Sequence, residues 1–227
     1  MAIKILDQGK QLEKLYHVRF SELERKKKNL IWQVLCHDFF QKWVLPGATV
    51  LDIASGYGEF TNNIRAGKKI AVDLNPEAKR ALNSDVEFHQ TSALELAGVS
   101  AESVDVVFSS NFFEHLKSKD EMGRVLKQAH SVLREGGRYL SLQPNLKYVK
   151  EAYWDFFDHQ LPLTHISARE AFESHGFEIE FLVARFLPYT TKSRLPQAPW
   201  LVRTYLRCPW VWPFLGKQFF LVAKKVS

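Results

Sequence analysis

Along this chain the spacing of apolar residues changes period several times. Over residues 8–43, Leu12, Leu15 and Tyr16, and then Leu30, Ile31, Val34, Leu35 and Phe39, recur at intervals of about three or four, the period of an amphipathic helix. The spacing predicts two helices there, broken near Ser21, with Pro46-Gly47 stopping the second. Short apolar runs follow: "TVLDIA", "KIAVDL", "VEFHQ", "VDVVFSS" and "RYLSLQ", each of strand length. Between them the pattern predicts a helix from about Tyr57 to Arg65, one opened by Asn75-Pro76-Glu77, and a long one reaching Arg134 and closed by Gly136-Gly137. "SAREAFESHGF" reads as a further helix, and "EIEFLVARF" and "KQFFLVAK" as two more strands.

Alternating strands and helices predict an α/β chain, a Rossmann-like, seven-stranded, mostly parallel sheet with helices on both faces. The 227 residues suit a single domain. It divides into a helical N-terminal cover (1–46), a cofactor-binding core (47–143) and a substrate-side half (144–227). A lid is inserted at about 187–216, where a short turn would have served. No internal repeat or low-complexity stretch interrupts this order.

Composition narrows the setting. Lys plus Arg exceeds Asp plus Glu, 31 against 25, a lean toward anionic partners. Cys36 and Cys208 give neither a disulfide framework nor metal-like spacing. With no spanning apolar run and no signal-like start, a cytoplasmic protein is expected.

The chemistry begins in "VLDIASGYGEF". Glycine at 56 and 58 lets backbone approach a ligand closely, and a helix starting near Tyr57 would aim free N–H groups at it. Asp73 ends the second strand 21 residues after Asp52, where a carboxylate can grip a ribose diol through two charge-assisted hydrogen bonds. A dinucleotide site would want a third glycine or alanine where Thr61 stands. An acid at Asp52 is also awkward beside a pyrophosphate but suits a ligand with an ammonium group.

D-x-A-x-G-x-G at 52–58, "AVDLNP" at 71–76, "SVDVVFSSNFFEHL" at 103–116 and "VLREGGRYL" at 132–140 together resemble the class I S-adenosylmethionine-dependent methyltransferases. "DHQLPLTHISAREAFESHGFEI" resembles, more loosely, their small-molecule branch of sugar and quinone enzymes. The resemblance implies S-adenosylmethionine as cofactor. It places Asp52, Ala54, Ser55, Gly56, Tyr57 and Gly58 at the methionine part, Asp73 and Leu74 at the ribose, and Ser92 and Ala93 near the adenine. Asn111 falls where the reactive methyl usually lies. Serine at 92 departs from the family's acid, and Ala54 replaces its commonest first glycine, a change tolerated where φ is negative.

An oxygen acceptor needs a base near neutral pH, and histidine is the natural one. His115, in "NFFEHL", and His159, in "YWDFFDHQLPLTH", are the candidates, with Trp154, Asp158 and His165 as substrate-side neighbours. No grouping of ligands suggests a metal. No Pro-Pro-aromatic motif follows strand four, which disfavours methylation of nucleic-acid base amines. The lid mixes Lys192, Arg194, Arg203 and Arg207 with Trp200, Trp210 and Trp212 and carries no acid. That mixture suits a membrane interface or a lipid phosphate; the alternatives are a folded lid whose aromatics pack on the core and, less favoured, the stacking of single-stranded RNA. A small-molecule or lipid-linked glycan acceptor, O-methylated on a sugar, is the expectation, with possible peripheral contact at the inner membrane face. A quinone or other lipophilic phenol, RNA, and a non-catalytic cofactor-binding role are the alternatives; the oligomeric state is left open.

Overall fold

The computed structural model describes residues 22–189 and 198–226. The first expected helix, with Leu12, Leu15 and Tyr16, lies outside them, as do Lys192 and Arg194 of the lid. Seven strands run in the order β3-β2-β1-β4-β5-β7-β6. They are β1 (Thr49–Ile53), β2 (Lys68–Asp73), β3 (Val86–Gln90), β4 (Val104–Ser110), β5 (Leu133–Pro144), β6 (Phe177–Val183) and β7 (Gln218–Lys225). The pairings β1–β2, β2–β3 and β4–β5 are parallel, and β7 is antiparallel to both β5 and β6. This is the Rossmann-like sheet that the strand and helix alternation predicts.

The contacts divide the chain into two compact units, 1–99 with 196–206, and 100–195 with 207–227. In the first, helix α1 (Glu22–Asp38) buries Trp32, Val34, Leu35 and Cys36, whereas Leu30 is exposed. The helix ends at Asp38, well before Pro46-Gly47; a 3-10 turn at Phe40–Trp43 follows it. Phe40 stands edge-on to Phe39 and Phe60. β1 and β2 are almost wholly buried, while β3, at the sheet edge, is half-exposed. Buried parallel strands read as unbroken apolar runs for that reason. Helix α2 is a single turn, Ala78–Ala81, and Asn75 prepares it by accepting from the Glu77 N–H (3.0 Å).

The expected helix from Tyr57 to Arg65 does not form as regular helix; residues 57–64 are a run of turns. Only isolated i→i−4 bonds close there, Asn62 to Gly58 and Ile64 to Phe60. The Asn63 side chain takes the Glu59 carbonyl that its own N–H would bond in a helix (2.8 Å), the local competition that keeps asparagine out of helix interiors, while Asn62 reaches away to the Ala81 carbonyl.

In the second unit, α3 (Lys119–Val132) is capped by Ser118, which accepts from the Glu121 N–H at 3.2 Å. It stops at Val132, and Gly136-Gly137 lie inside β5 rather than at the helix end. The pairing steps from Val104↔Leu133 to Val106↔Arg138, so extra β5 residues bulge out, with Gly136 at φ +71°. Helix α4 is the single turn Leu146–Val149, with a 3-10 stretch at Lys150–Asp155. Helix α5 (His165–Glu173) opens with a Thr164–Ser167 capping box. Tyr139, Phe172 and Phe177 pack edge-to-face at its base.

The stretch before β7 is helical: α6 (Pro199–Arg207), a 3-10 turn at Pro209–Val211 and α7 (Trp212–Leu215). Its three tryptophans part company. Trp200 and Trp210 are 66% and 74% exposed, but Trp212 is 8% exposed and stands edge-on to Phe186, ring centres 5.0 Å apart. Arg203 is paired with Asp38 at 2.7 Å, so its charge, unopposed within the lid sequence, is opposed from α1. No helix among the described residues is long and apolar enough to cross a membrane.

Trp212→Ser therefore removes a core ring, and we expect it to cost about 3–5 kcal/mol of stability. Trp210→Ser, on an exposed ring, should stay within about 0.5 kcal/mol of the parent. Urea denaturation of the two variants checks this.

Candidate active site

At the carboxyl end of β1 the backbone enters left-handed conformation three times in five residues: Ala54 (φ +56°), Gly56 (φ +54°) and Gly58 (φ +74°). The expectation of a negative φ at Ala54 is thus overturned. The methyl group there is carried against a steric penalty of roughly 1–2 kcal/mol. The loop is held by Ser55 N–H to Val72 O (3.1 Å) and Gly58 N–H to Ser55 O (2.8 Å). A Cβ on Gly58 would meet Leu82 at 2.5 Å and Asn62 at 3.1 Å. That glycine is favoured by its own left-handed φ and by the crowding of Leu82 and Asn62, whatever the ligand.

Two carboxylates lie beneath this loop. Asp73 accepts from the Gly56 N–H (2.8 Å) and the Asn75 N–H (2.7 Å), one on each oxygen. Burial still pushes it up to about 6, with backbone N–H groups pulling the other way. Asp52 takes the Thr61 hydroxyl, and burial, aided by the charges of Glu59 and Asp73, pushes it up to about 8. Glu59 has a cation, Lys28 at 2.7 Å; Asp52 and Asp73 form no ion pair among the described residues. The Ser55 hydroxyl is buried with no hydrogen-bond partner. Buried acids without a cation and an idle hydroxyl fit a ligand that brings positive charge and hydrogen-bonding groups of its own.

The remaining cofactor candidates are less free. Leu74 uses its carbonyl on Gln90 Nε2 (3.3 Å). The Ser92 hydroxyl accepts from the Leu94 N–H (3.2 Å), and Ala93 is buried. Tyr57 carries the Arg25 guanidinium 4.5 Å above its ring.

In the other unit, Asn111 follows β4 in left-handed conformation, φ +47°. Its Oδ1 accepts from Gln218 Nε2 (2.6 Å), and its Nδ2 donates to Ser110 Oγ (2.9 Å). The next turn hangs on a residue that the sequence pattern did not single out. Buried Gln143, in β5, accepts the N–H groups of Phe112 (2.9 Å) and Phe113 (3.4 Å), while its amide donates to Ser109 and Ser141. Its only signal was an amide inside an apolar strand.

That turn delivers Glu114 and His115. The Glu114 carbonyl accepts from the N–H groups of Gln160 (2.7 Å) and Leu161 (3.2 Å), which draws "DHQL" against it. His115 Nδ1 lies 3.2 Å from Asp158 Oδ2, and its ring stands edge-on to His159 at 5.2 Å. His159 is buried between Phe156, stacked at 4.8 Å, and Tyr153 at 4.7 Å. Burial favours neutral His115, but the Asp158 hydrogen bond and the Glu114 and Asp158 charges outweigh it, and the net shift is upward. Burial lifts Glu114 to about 7, against the pull of His115, and its Oε2 has no hydrogen-bond partner.

The expectation that nothing groups like metal ligands changes here. Glu114, His115 and His159 bring donor atoms within 4.8 Å of one another. The expected company of His165 changes too. It is bonded to Asn145 Nδ2 (2.9 Å) and stacked on Tyr148, apart from the contacts that join His115, Asp158 and His159. Trp154 is 55% exposed and edge-on to Tyr153.

Residues 51–141 match the family model described as a methyltransferase domain. The chain is an S-adenosylmethionine-dependent methyltransferase. This methyltransferase is 28% identical over 174 residues to a ubiquinone/menaquinone biosynthesis C-methyltransferase, UbiE, of Hahella chejuensis, with 68% of each chain covered. Its fold matches an S-adenosylmethionine-dependent methyltransferase from Archaeoglobus fulgidus at a TM-score of 0.66 and 21% identity, covering 92% of this chain and 100% of that one. It also matches geranyl diphosphate methyltransferase in complex with S-adenosylmethionine at 0.58 and 17%, covering 90% and 86%. The cofactor brings an ammonium and a sulfonium for Asp52 and ribose hydroxyls that can donate to the Asp73 carboxylate, so the residues present fit it. Asp52 and the 54–58 loop would hold the methionine part and Asp73 the ribose.

Two outcomes follow for the loop after β1 and its acids. A cation that binds the ionised acids drives protons off them, so affinity for S-adenosylmethionine should rise with pH through about 6 to 8 and then level. Calorimetry in buffers of different ionisation enthalpy should show proton release, and Asp73→Ala should weaken binding by about 1.5–3 kcal/mol. Ala54→Gly relieves the left-handed methyl but adds freedom to the unfolded chain, roughly 0.5–1 kcal/mol. The net should be a stabilisation of up to about 1.5 kcal/mol, visible as a higher melting temperature.

Proposed function

We propose that this methyltransferase methylates a hydroxyl oxygen of a small acceptor, a sugar or a lipid-linked glycan, with His115 as general base. The observation that carries the reading is the His115–Asp158 pair. Asp158 takes the proton-bearing Nδ1 and leaves Nε2 as the basic nitrogen. A carboxylate behind an imidazole strengthens it as a base, which a sugar hydroxyl needs more than an already acidic phenol does. His115 keeps a third of its side chain accessible, whereas His159 is buried. We therefore give the proton to His115 and the walling of the site to His159, Tyr153 and Phe156.

Bound S-adenosylmethionine supplies a methyl group on a good leaving group. The chain's part is to align the acceptor oxygen, exclude water and accept the hydroxyl proton on His115 as the oxygen–carbon bond forms. A second acceptor is favoured by the relative named as a ubiquinone/menaquinone C-methyltransferase. It is a hydroxylated quinol ring, methylated at carbon, lying against exposed rings such as Trp154 and Phe157.

His115→Ala should lower single-turnover rate by about 10²–10⁴-fold at saturating cofactor, as loss of a general base does. The base form exists above the His115 pKa, so rate should rise with pH through a midpoint above the ordinary histidine value. Asp158→Asn should move that midpoint down. Turnover is expected to survive chelation; loss on chelation, restored by added zinc, would shift the Glu114–His115–His159 group to a metal role. Methyl incorporation into lipid-linked glycan against quinol extracts separates the two acceptors, and a His115→Ala variant with unchanged rate refutes the base.

A further inference from the structure

One cleft in the second unit is not used by any of this. It has a volume of about 690 Å³ and is lined by Lys147, Tyr148, Lys150, Glu151, Arg185 and Lys217, with Val149 and Ala152 between them. These residues come from three places: the segment leaving β5, the end of β6, and the residue before β7. Chain segments far apart in sequence thus turn four cations toward one hollow against a single acid, an excess of 4 − 1 = 3 positive charges. None of the four is paired with a carboxylate among the described residues.

Two further observations make this more than a solvated basic surface. Arg185 is fixed: its Nε donates to Gly216 O (2.8 Å), its Nη2 to Phe214 O (2.7 Å), and the guanidinium lies 4.7 Å above the Tyr148 ring. A guanidinium has five N–H donors in a rigid fork, so three remain after those two bonds, already oriented. Lys150 holds φ +56° with ψ −137°, a conformation that costs any non-glycine residue free energy. The chain bears that cost with a long cationic side chain at the rim of the hollow. His165, stacked on the same Tyr148, is driven toward its neutral form by burial and then by Lys147 and Arg169.

We propose that this cleft is a binding site for a phosphate-type oxyanion, a phosphomonoester or a diphosphate. Arg185 and Lys150 contact the oxygens, and Lys147 and Lys217 close the charge. A forked guanidinium with three free donors matches tetrahedral oxyanions, and two or more negative charges match the excess. The same chemistry is offered by a soluble phosphate ester and by a phosphate headgroup. Phe214 and Trp210, exposed at 76% and 74% beside the Arg185 anchor in chain order, would suit the second. The site does not rest on the choice of methyl acceptor or of base.

The test uses the full chain and two probes, inorganic pyrophosphate by calorimetry, and phosphatidylcholine vesicles with and without phosphatidic acid by sedimentation. Lys150→Gly is the decisive variant, because it deletes a charge while placing at φ +56° the residue that conformation favours. Its melting temperature should not fall, its affinity for S-adenosylmethionine should be unchanged, and its affinity for the bound probe should drop about tenfold. Lys147→Gln with Lys217→Gln should lower affinity further and flatten its salt dependence. Pyrophosphate binding alone assigns a soluble ester; binding to phosphatidic acid vesicles alone assigns a headgroup; both support the site. A parent protein that binds neither probe, or a well-folded Lys150→Gly variant that binds as the parent does, overturns it.

Discussion

Two carboxylates kept out of water without a cation are the constraint around which the first unit is built. Asp52 and Asp73 end neighbouring strands, and both are held away from their usual acidity by burial. A fold that wanted only stability would replace such acids with apolar groups of similar size, since desolvating an unpaired charge costs several kcal/mol. Here the surrounding backbone is bent to serve them: Gly56 and Asn75 turn their N–H groups to Asp73, and Thr61 turns its hydroxyl to Asp52. The left-handed φ of Gly56 follows from the same need, since its N–H reaches Asp73. An ammonium group at Asp52 and ribose hydroxyls at Asp73 would be the missing counterparts, so binding would complete an arrangement that folding leaves open.

The second unit rests on amides rather than acids. Gln143 stitches the turn after β4 to β5, and the Glu114 carbonyl then fixes residues 160 and 161. These two links set the position of His115, Asp158 and His159 more than any contact among the imidazoles themselves. Asn145 does the same for His165 through one amide that also bonds the Ala184 carbonyl.

Much of this could be read from the chain because strands buried on both faces write themselves as apolar runs. β1, β2, β4 and β7 were legible in that way, and D-x-A-x-G-x-G marked the loop. What escaped was decided by backbone detail. The turns at 57–64 look helical by apolar spacing, and only the side-chain bond of Asn63 shows why regular helix fails. Gly136-Gly137 carries the same letters whether it ends a helix or forms a bulge, and the register of β4 on β5 decides. Ala54 gave no hint of its left-handed φ. Trp212 and Trp210 stand two residues apart with opposite fates, because a one-turn helix sends only the first against Phe186. The meeting of Glu114 with His159 spans 45 residues (159 − 114), and no local pattern encodes it.

The position of β7 has a consequence for how the molecule comes into being. It is the latest of the seven strands in the chain, yet it lies between β5 and β6 and pairs with both. β6 therefore has no sheet to join until the residues that follow it by more than thirty positions have been made. During synthesis β5 presents an open edge and β6 waits unpaired, each a template for pairing with the wrong chain. Ladders closed so late in the chain are expected to form slowly. Assembly of this half should be sensitive to chaperones that hold strands apart, and the first unit, whose three parallel strands are complete by residue 90, should be ordered well before it.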